Sequence, residues 1–391
     1  MMLRPIATAF LLAAALGLTA CGDSQPERKE EMLSFPAAGS QYRLKPLDHL
    51  SYRVPRLLDK SNVYAADAPN RLSKAVAGIK ERIYVPNSGS NTVDEIDPAT
   101  YKVVRHFPVG TQPQHVVPSY DLKTLWVNND QGNSLTPVDP RTGTPGRPVP
   151  VTDPYNLYFS PDGRDALVMA ERLQRIYFRD AHTMKTEYVL DVPSCPGVNH
   201  ADFTADGRLM LASCEFGGRM IVVDVPRRKV LTTIPLRSGA APQDVKLSPD
   251  GRTFYVADMM SQGVWKLNAR TFHKSGFERT GLGAHGLYAS RDSRYLYVSN
   301  RAEGSVSLIS FRTGKPVHKW RIPGGGSPDM GGVSSDGKVL WLSGRYNAEV
   351  YAISTVDGKL LKRIPVGAGP HGLCVFPQPG RYSLGHTGVY R

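Results

Sequence analysis

The chain has 391 residues, with 37 Gly, 31 Pro and 4 Cys, long enough to bury a large core without metals or disulfides and rich in the residues that hairpin turns need. Its 48 Lys and Arg against 35 Asp and Glu leave a formal net charge of +13, but the basic residues are dispersed in short runs such as RRK at 227–229, which excludes a polybasic arm. The excess charge either draws anionic partners, such as phospholipid head groups, wall polymers or acidic glycans, or reflects Arg scattered over a solvated surface.

The N-terminus reads as a targeting segment. Arg4 supplies a positive start, residues 6–18 form an apolar run too short for a comfortable membrane span, and LTAC at 18–21 places small residues before a cysteine. This stretch resembles a bacterial lipobox, and the resemblance implies cleavage before Cys21 and diacylation of its sulfur. A plain secretory signal with an incidental cysteine is the competing reading. Residues 1–20 are thus assigned as a lipoprotein signal peptide and 21–45 as the lipidated cysteine and a flexible polar linker. As a coil, that linker would hold the body roughly 25–30 Å from its anchor. Residues 46–80 are irregular, with SYRV and NVYAA as edge strands or as a strap over the body of the protein.

From residue 81 onward the chain repeats. In GLGAHGLYASRDSRYLYVSNRAEGSVSLIS at 281–310, two runs rich in aromatic and β-branched residues flank the polar turn RDS, and a third alternating run comes after RAEG. The same order of pieces returns in PQDVKLSPDGRTFYVAD (242–258), YNLYFSPDGRDALVMA (155–170) and three further stretches. Aligned on the hairpin turn, the inner runs begin at Gln114, Tyr155, Asn199, Gln243, His285, Asp329 and His371, with gaps of 41, 44, 44, 42, 44 and 42 residues. Seven units of about four short strands predict an all-β, seven-bladed β-propeller over 81–391. RIYVPN (82–87), TVDEID (92–97) and YKVVRHFPV (101–109) lack an inner strand, and PHGLCVFP (370–377) is an inner strand without outer ones. Together they predict a composite closing blade. The tail at 380–391 has no repeat slot and is expected along or across one face.

The SPDG-like turns followed by YVPN, WVNN, YVAD or YVSN, a polar turn and S/N-x-V resemble the YVTN-repeat family of secreted propellers over about 80–380. That resemblance implies a fold shared by surface-layer proteins and lactonase-like enzymes.

In a propeller the inner strands face the axis, so their first residues converge. The second positions are His115, Asn156, His200, Asp244, Gly286, Met330 and Gly372. Channel ligand-binding candidates are therefore His115, Asn156, Asn199, His200, Asp244, His285, Asp329 and His371, and the four histidines are the candidate ligands of a divalent metal. The ring could equally hold an organic ligand or serve only as inter-blade hydrogen bonding, and side-chain alternation along a strand would point its two layers apart. His386 joins the ring if the tail crosses that face. No Glu falls in these layers, and the chain lacks G-x-S-x-G and C-x-x-C-H. Cys195 and Cys214 are placed for a disulfide, with a metal site including His200 as the rival, and Cys374 is read as a buried thiol.

The function expected is that of an exported, lipid-anchored module, a monomer binding a ligand, an envelope protein or an anionic envelope polymer. It would be tethered by Cys21 to the outer face of the cytoplasmic membrane or to a periplasmic membrane surface, with no nucleic acid among its partners. The alternative is a metal-dependent enzyme, a lactonase-like hydrolase or an oxidoreductase partner, working at the His/Asp ring.

Overall fold

The computed structural model describes residues 52–386 and 388–391; the expected signal peptide, Cys21 and the expected linker lie outside the described residues. The repeats form seven antiparallel sheets. Six of these blades run outward from the axis in chain order, with inner strands Pro113–Pro118 (blade 2), Asn156–Phe159 (blade 3), Val198–Phe203 (blade 4), Pro242–Leu247 (blade 5), Ala284–Ala289 (blade 6) and Pro328–Val333 (blade 7). Blade 1 is the composite one. Cys374–Phe376 pairs antiparallel with Arg82–Asn87, setting Val375 opposite Ile83, and Thr92–Asp97 and Lys102–Pro108 complete the sheet. Joining the two ends of the repeat region in one sheet leaves no blade edge open at the closure.

The hairpins repeat because their turns do. In six blades a Ser or Thr hydroxyl donates to the Asp two residues on, at 2.6–2.7 Å, from Ser119 to Asp121 through Ser334 to Asp336. The same oxygen accepts backbone N–H groups across the turn, as Ser248 does from Arg252 and Thr253. This local pattern competes well with regular pairing and fixes where each hairpin reverses.

Burial falls from axis to rim. The inner strand Pro242–Leu247 is buried throughout, whereas the outer strand Lys315–Arg321 is exposed at nearly every position. The apolar core lies between blades: Tyr158, Leu167 and Phe178 of blade 3 pack with Ala201, Met210 and Ile221 of blade 4. Each large apolar side chain buried there contributes roughly 1.5–3 kcal/mol, which is why no blade is stable alone.

Two non-repeat segments close one end of the channel. The strap, with 3-10 turns at Ala65–Asp67 and Lys74–Val76, docks on the hairpin turns: Val63 N donates to Pro249 O at 2.8 Å and Asn70 N to Ser335 O at 2.8 Å. The tail goes further and enters the channel, where Phe159 N donates to Leu384 O at 3.0 Å. Arg391, almost fully buried, pairs with Asp202 at 3.2 Å and donates to the carbonyls of Phe203 and Thr204.

Candidate functional site

The strands of each blade place two residues at the end opposite the hairpin turns: the residue heading each inner run, from Gln114 to His371, and the residue just past the second strand. Alternation would send neighbouring inner-strand side chains to opposite faces, but a bulge interrupts the inner hairpin in five blades. The register slips between Pro113 and His115, Val198 and Ala201, Pro242 and Val245, Ala284 and Leu287, and Pro328 and Gly331. An extra residue at a bulge re-aims the side chains beside it. Both layers of the ring can therefore turn toward the axis, contrary to the strict alternation expected.

All four predicted histidines meet there. Their ring centroids lie 4.9 Å apart for His115 and His371, 5.5 Å for His115 and His200, 5.8 Å for His285 and His371, and 6.2 Å for His200 and His285. His386 arrives with the tail, 4.1 Å from His115. Asp329 anchors the cluster: it faces Nδ1 of His371 at 2.7 Å, Nδ1 of His285 at 3.1 Å and the Arg301 guanidinium at 3.2 Å. Burial works against its charge, but these three partners outweigh burial and hold the carboxyl well below its ordinary range. An ionised carboxylate only accepts, so both imidazoles carry their proton on Nδ1. His371 Nε2 is then an acceptor for the Tyr155 hydroxyl, 3.4 Å away.

Burial keeps the rings neutral, bringing His200 down to about 3 and His371 to about 4 and placing His115, His285 and His386 well below 6.5. Asn156 donates its amide to Nδ1 of His200 at 3.2 Å. Both nitrogens of His115 and Nε2 of His200 are buried with no hydrogen-bond partner. Among the described residues no group of three or more His, Cys, Asp or Glu is disposed to hold a metal ion. The histidines predicted as metal ligands adjoin one another as tilted and edge-on rings.

Two candidates stand elsewhere. Asp244 sits deeper, accepting the backbone N–H of Val245 and of Leu287 on the next blade, both at 2.8 Å, as an inter-blade pin. Asn199 turns sideways, its amide donating to Glu171 at 3.2 Å and Glu215 at 2.8 Å. No Glu falls in the two inner-strand layers, as the sequence indicates, and these two carboxyls reach Asn199 from outside them. Burial, reinforced by the charge of Glu215, pushes Glu171 up to about 8, and burial raises Glu215.

Glu171 and Glu215 come from a second ring that the inner-strand alignment missed. The residue following the second strand reads Ser88, Asp130, Glu171, Glu215, Met259, Arg301 and Arg345 from blade 1 to blade 7. The signal was available in the register: each follows YVPN, WVNN, LVMA, LASC, YVAD, YVSN or WLSG. Exposed Phe216 and Tyr346 flank it, Tyr346 lying under the Arg301 guanidinium at 5.5 Å. The remaining cysteines are structural: Cys195 and Cys214 form a disulfide with Cα atoms 4.8 Å apart, and burial pushes the Cys374 thiol up.

A family model described as YNCE-like β-propeller matches residues 62–381. No curated protein matches the chain. Among solved structures, the periplasmic gluconolactonase PpgL of Pseudomonas aeruginosa is similar at 19% identity and TM-score 0.64, covering 76% of this chain and 99% of that one. Hydrazine synthase of Kuenenia stuttgartiensis is similar at 17% identity and TM-score 0.59, covering 75% and 97%. The dihydro-heme d1 dehydrogenase NirN is similar at 16% and 0.57, covering 82% and 79%. At these identities the likeness is one of fold.

Proposed function

The chain belongs to the YNCE-like β-propeller family, and on that premise we propose that it is an exported, lipid-anchored binding module that takes its ligand at the mouth of the central channel. The observation that carries this reading is the mouth itself. Strap and tail pack at the hairpin-turn end of the channel, and toward the other end the ring gathers buried polar groups with unused hydrogen-bonding capacity, His115 and His200 among them. Buried polar atoms left without partners cost stability, roughly 1–3 kcal/mol each, and a ligand that meets them recovers that cost on binding. The YVTN-like strand ends and the lipobox at LTAC support export and anchoring through Cys21.

Two measurements test the two halves of the proposal. Radiolabelled palmitate should enter the protein in an expressing bacterium and fail to enter a Cys21→Ala variant; equal labelling would remove the anchor. For the mouth, the detergent-solubilised chain is melted against a library of small polar organic molecules. Binders should stabilise the wild type and lose most of that effect in Tyr155→Phe, which removes one hydroxyl from the ring; effects identical in both proteins would place binding elsewhere.

A second reading, hydrolysis at the same mouth, has one observation in its favour. Glu171, raised to about 8, is a carboxylic acid still protonated at neutral pH beside a second carboxyl, the condition a general acid requires. The similar gluconolactonase bears on this reading only through its fold.

A further inference from the structure

The second ring at the mouth is sorted by charge. Asp130, Glu171 and Glu215 fall on three consecutive blades, and Arg301 and Arg345 on two consecutive blades further round. Among the described residues Glu171 and Glu215 have no cationic side chain within ion-pair distance, and Arg345 has no carboxylate. Arg345 rests only against the Gln114 side-chain oxygen, at 3.4 Å. Gln243, 1% exposed, hydrogen-bonds Glu215 and keeps its Oε1 without a partner. A partnerless buried amide oxygen beside two carboxyls that lack a cation is a set of acceptors short of donors. Tyr155, whose hydroxyl lies 3.4 Å from His371 Nε2 in the ring, feels the charges of Glu171, Glu215 and Arg345.

Resting on the reading of the mouth as a binding site, we propose that its ligand is a small zwitterion of the amino acid or short-peptide type, its ammonium held by Glu171, Glu215 and Gln243 and its carboxylate by Arg345. A purely anionic ligand covering the mouth would lie against Glu215 and leave the acceptors around Glu171 unmet, and a purely cationic one would lie against the Arg345 guanidinium, which has no carboxylate partner. Each would bury like charge against like at one end, which is unfavourable at a partly dry site. A ligand with both groups meets an opposite charge at each end. An ammonium supplies three donors to the acceptor set around Glu171, and Arg presents the fork that a carboxylate fits. Taking up the ammonium also requires the acidic arc to be ionised, so binding at pH 7 releases a proton and tightens as pH rises from 7, until the ligand's own ammonium, at about 8 for a peptide, begins to lose its proton.

Calorimetric titration of the full chain in detergent tests this with free L-amino acids and dipeptides, their N-acetyl derivatives and their amides. At least one free compound should bind, and both N-acetylation and amidation should weaken it by roughly tenfold or more. E171Q/E215Q should erase the penalty of N-acetylation and leave that of amidation, and R345Q should do the reverse. N-acetyl compounds binding as tightly as the free ones, with R345Q abolishing both, would overturn the zwitterion while leaving the mouth a binding site. No binding by any of the three panels would overturn the zwitterion; if the polar library also fails to shift the melting temperature, the binding reading falls with it.

Discussion

Buried imidazoles and buried carboxyls in this site titrate in opposite senses, and each sets its own pH window. His371, at about 4, and His200, at about 3, refuse protons that the unfolded chain accepts below about 6.5. Their stabilising contribution is therefore intact above pH 6.5 and is lost as pH falls toward 4, at about 1.4 kcal/mol per pH unit for each ring. Thermal melts should show stability dropping steeply below pH 6.5. His115→Phe, which loses no hydrogen bond because neither ring nitrogen makes one, should flatten that slope by about 1.4 kcal/mol per unit; an unaltered slope would mean that His115 protonates within the fold. Glu171 behaves the other way. Raised from 4.5 to about 8, it favours the folded state below pH 4.5, and that contribution drains away as pH rises to about 8. Glu171→Gln should match the wild type at pH 4.5 and gain on the order of 5 kcal/mol over it at pH 9 by denaturant titration. The histidines were legible because they head repeated strands. Glu171, Glu215, Arg301 and Arg345 share a register of their own, yet each sits in a turn, where an isolated charge looks like ordinary solvated surface.

Within single blades, the strand pattern predicted the pairing, and the irregularities set the site. The bulge beginning each of five inner hairpins breaks the period-two alternation that would have pointed the two layers of the ring apart. Gly372 shows how closely that packing is drawn: its carbonyl accepts from Val116 N at 3.0 Å, and a Cβ there would collide with the His115 ring. Gly372→Ala should displace His115 and weaken mouth ligands while the far-ultraviolet spectrum stays that of an all-β protein. Blade 4 carries the disulfide that the sequence placed between Cys195 and Cys214, linking the entry of the inner strand to the end of the second across 19 residues. Replacing both cysteines with Ala should cost about 2–3 kcal/mol in urea unfolding, and reductant should then have no further effect. Equal midpoints for the two proteins would show that hairpin pairing alone constrains that segment.

For the molecule as a whole, closure is decided by chain ends. The composite blade joins Cys374–Phe376 to Arg82–Asn87, and the tail returns past it into the channel to bury Arg391 against Asp202. Arg391→Met keeps the apolar stem but takes the guanidinium from a fully buried carboxyl that retains only the backbone N–H donors of Phe203 and Leu247 and the charge of Lys246, and should cost about 1.5–3 kcal/mol; an unshifted unfolding midpoint would show that the tail does not hold the channel. The sequence by itself determined the blade count, the composite closure, the hairpin turns and the histidine ring, because a period of 41 to 44 residues records which strands must stack to bury both faces of each sheet. Only the tertiary structure decided which way the ring side chains point, that the tail enters the channel, and that the acidic and basic residues of the second ring lie at one end of it. Those features arise from bulges and from contacts between separate blades and chain segments, which leave no trace in the repeat even though the second ring itself keeps the period.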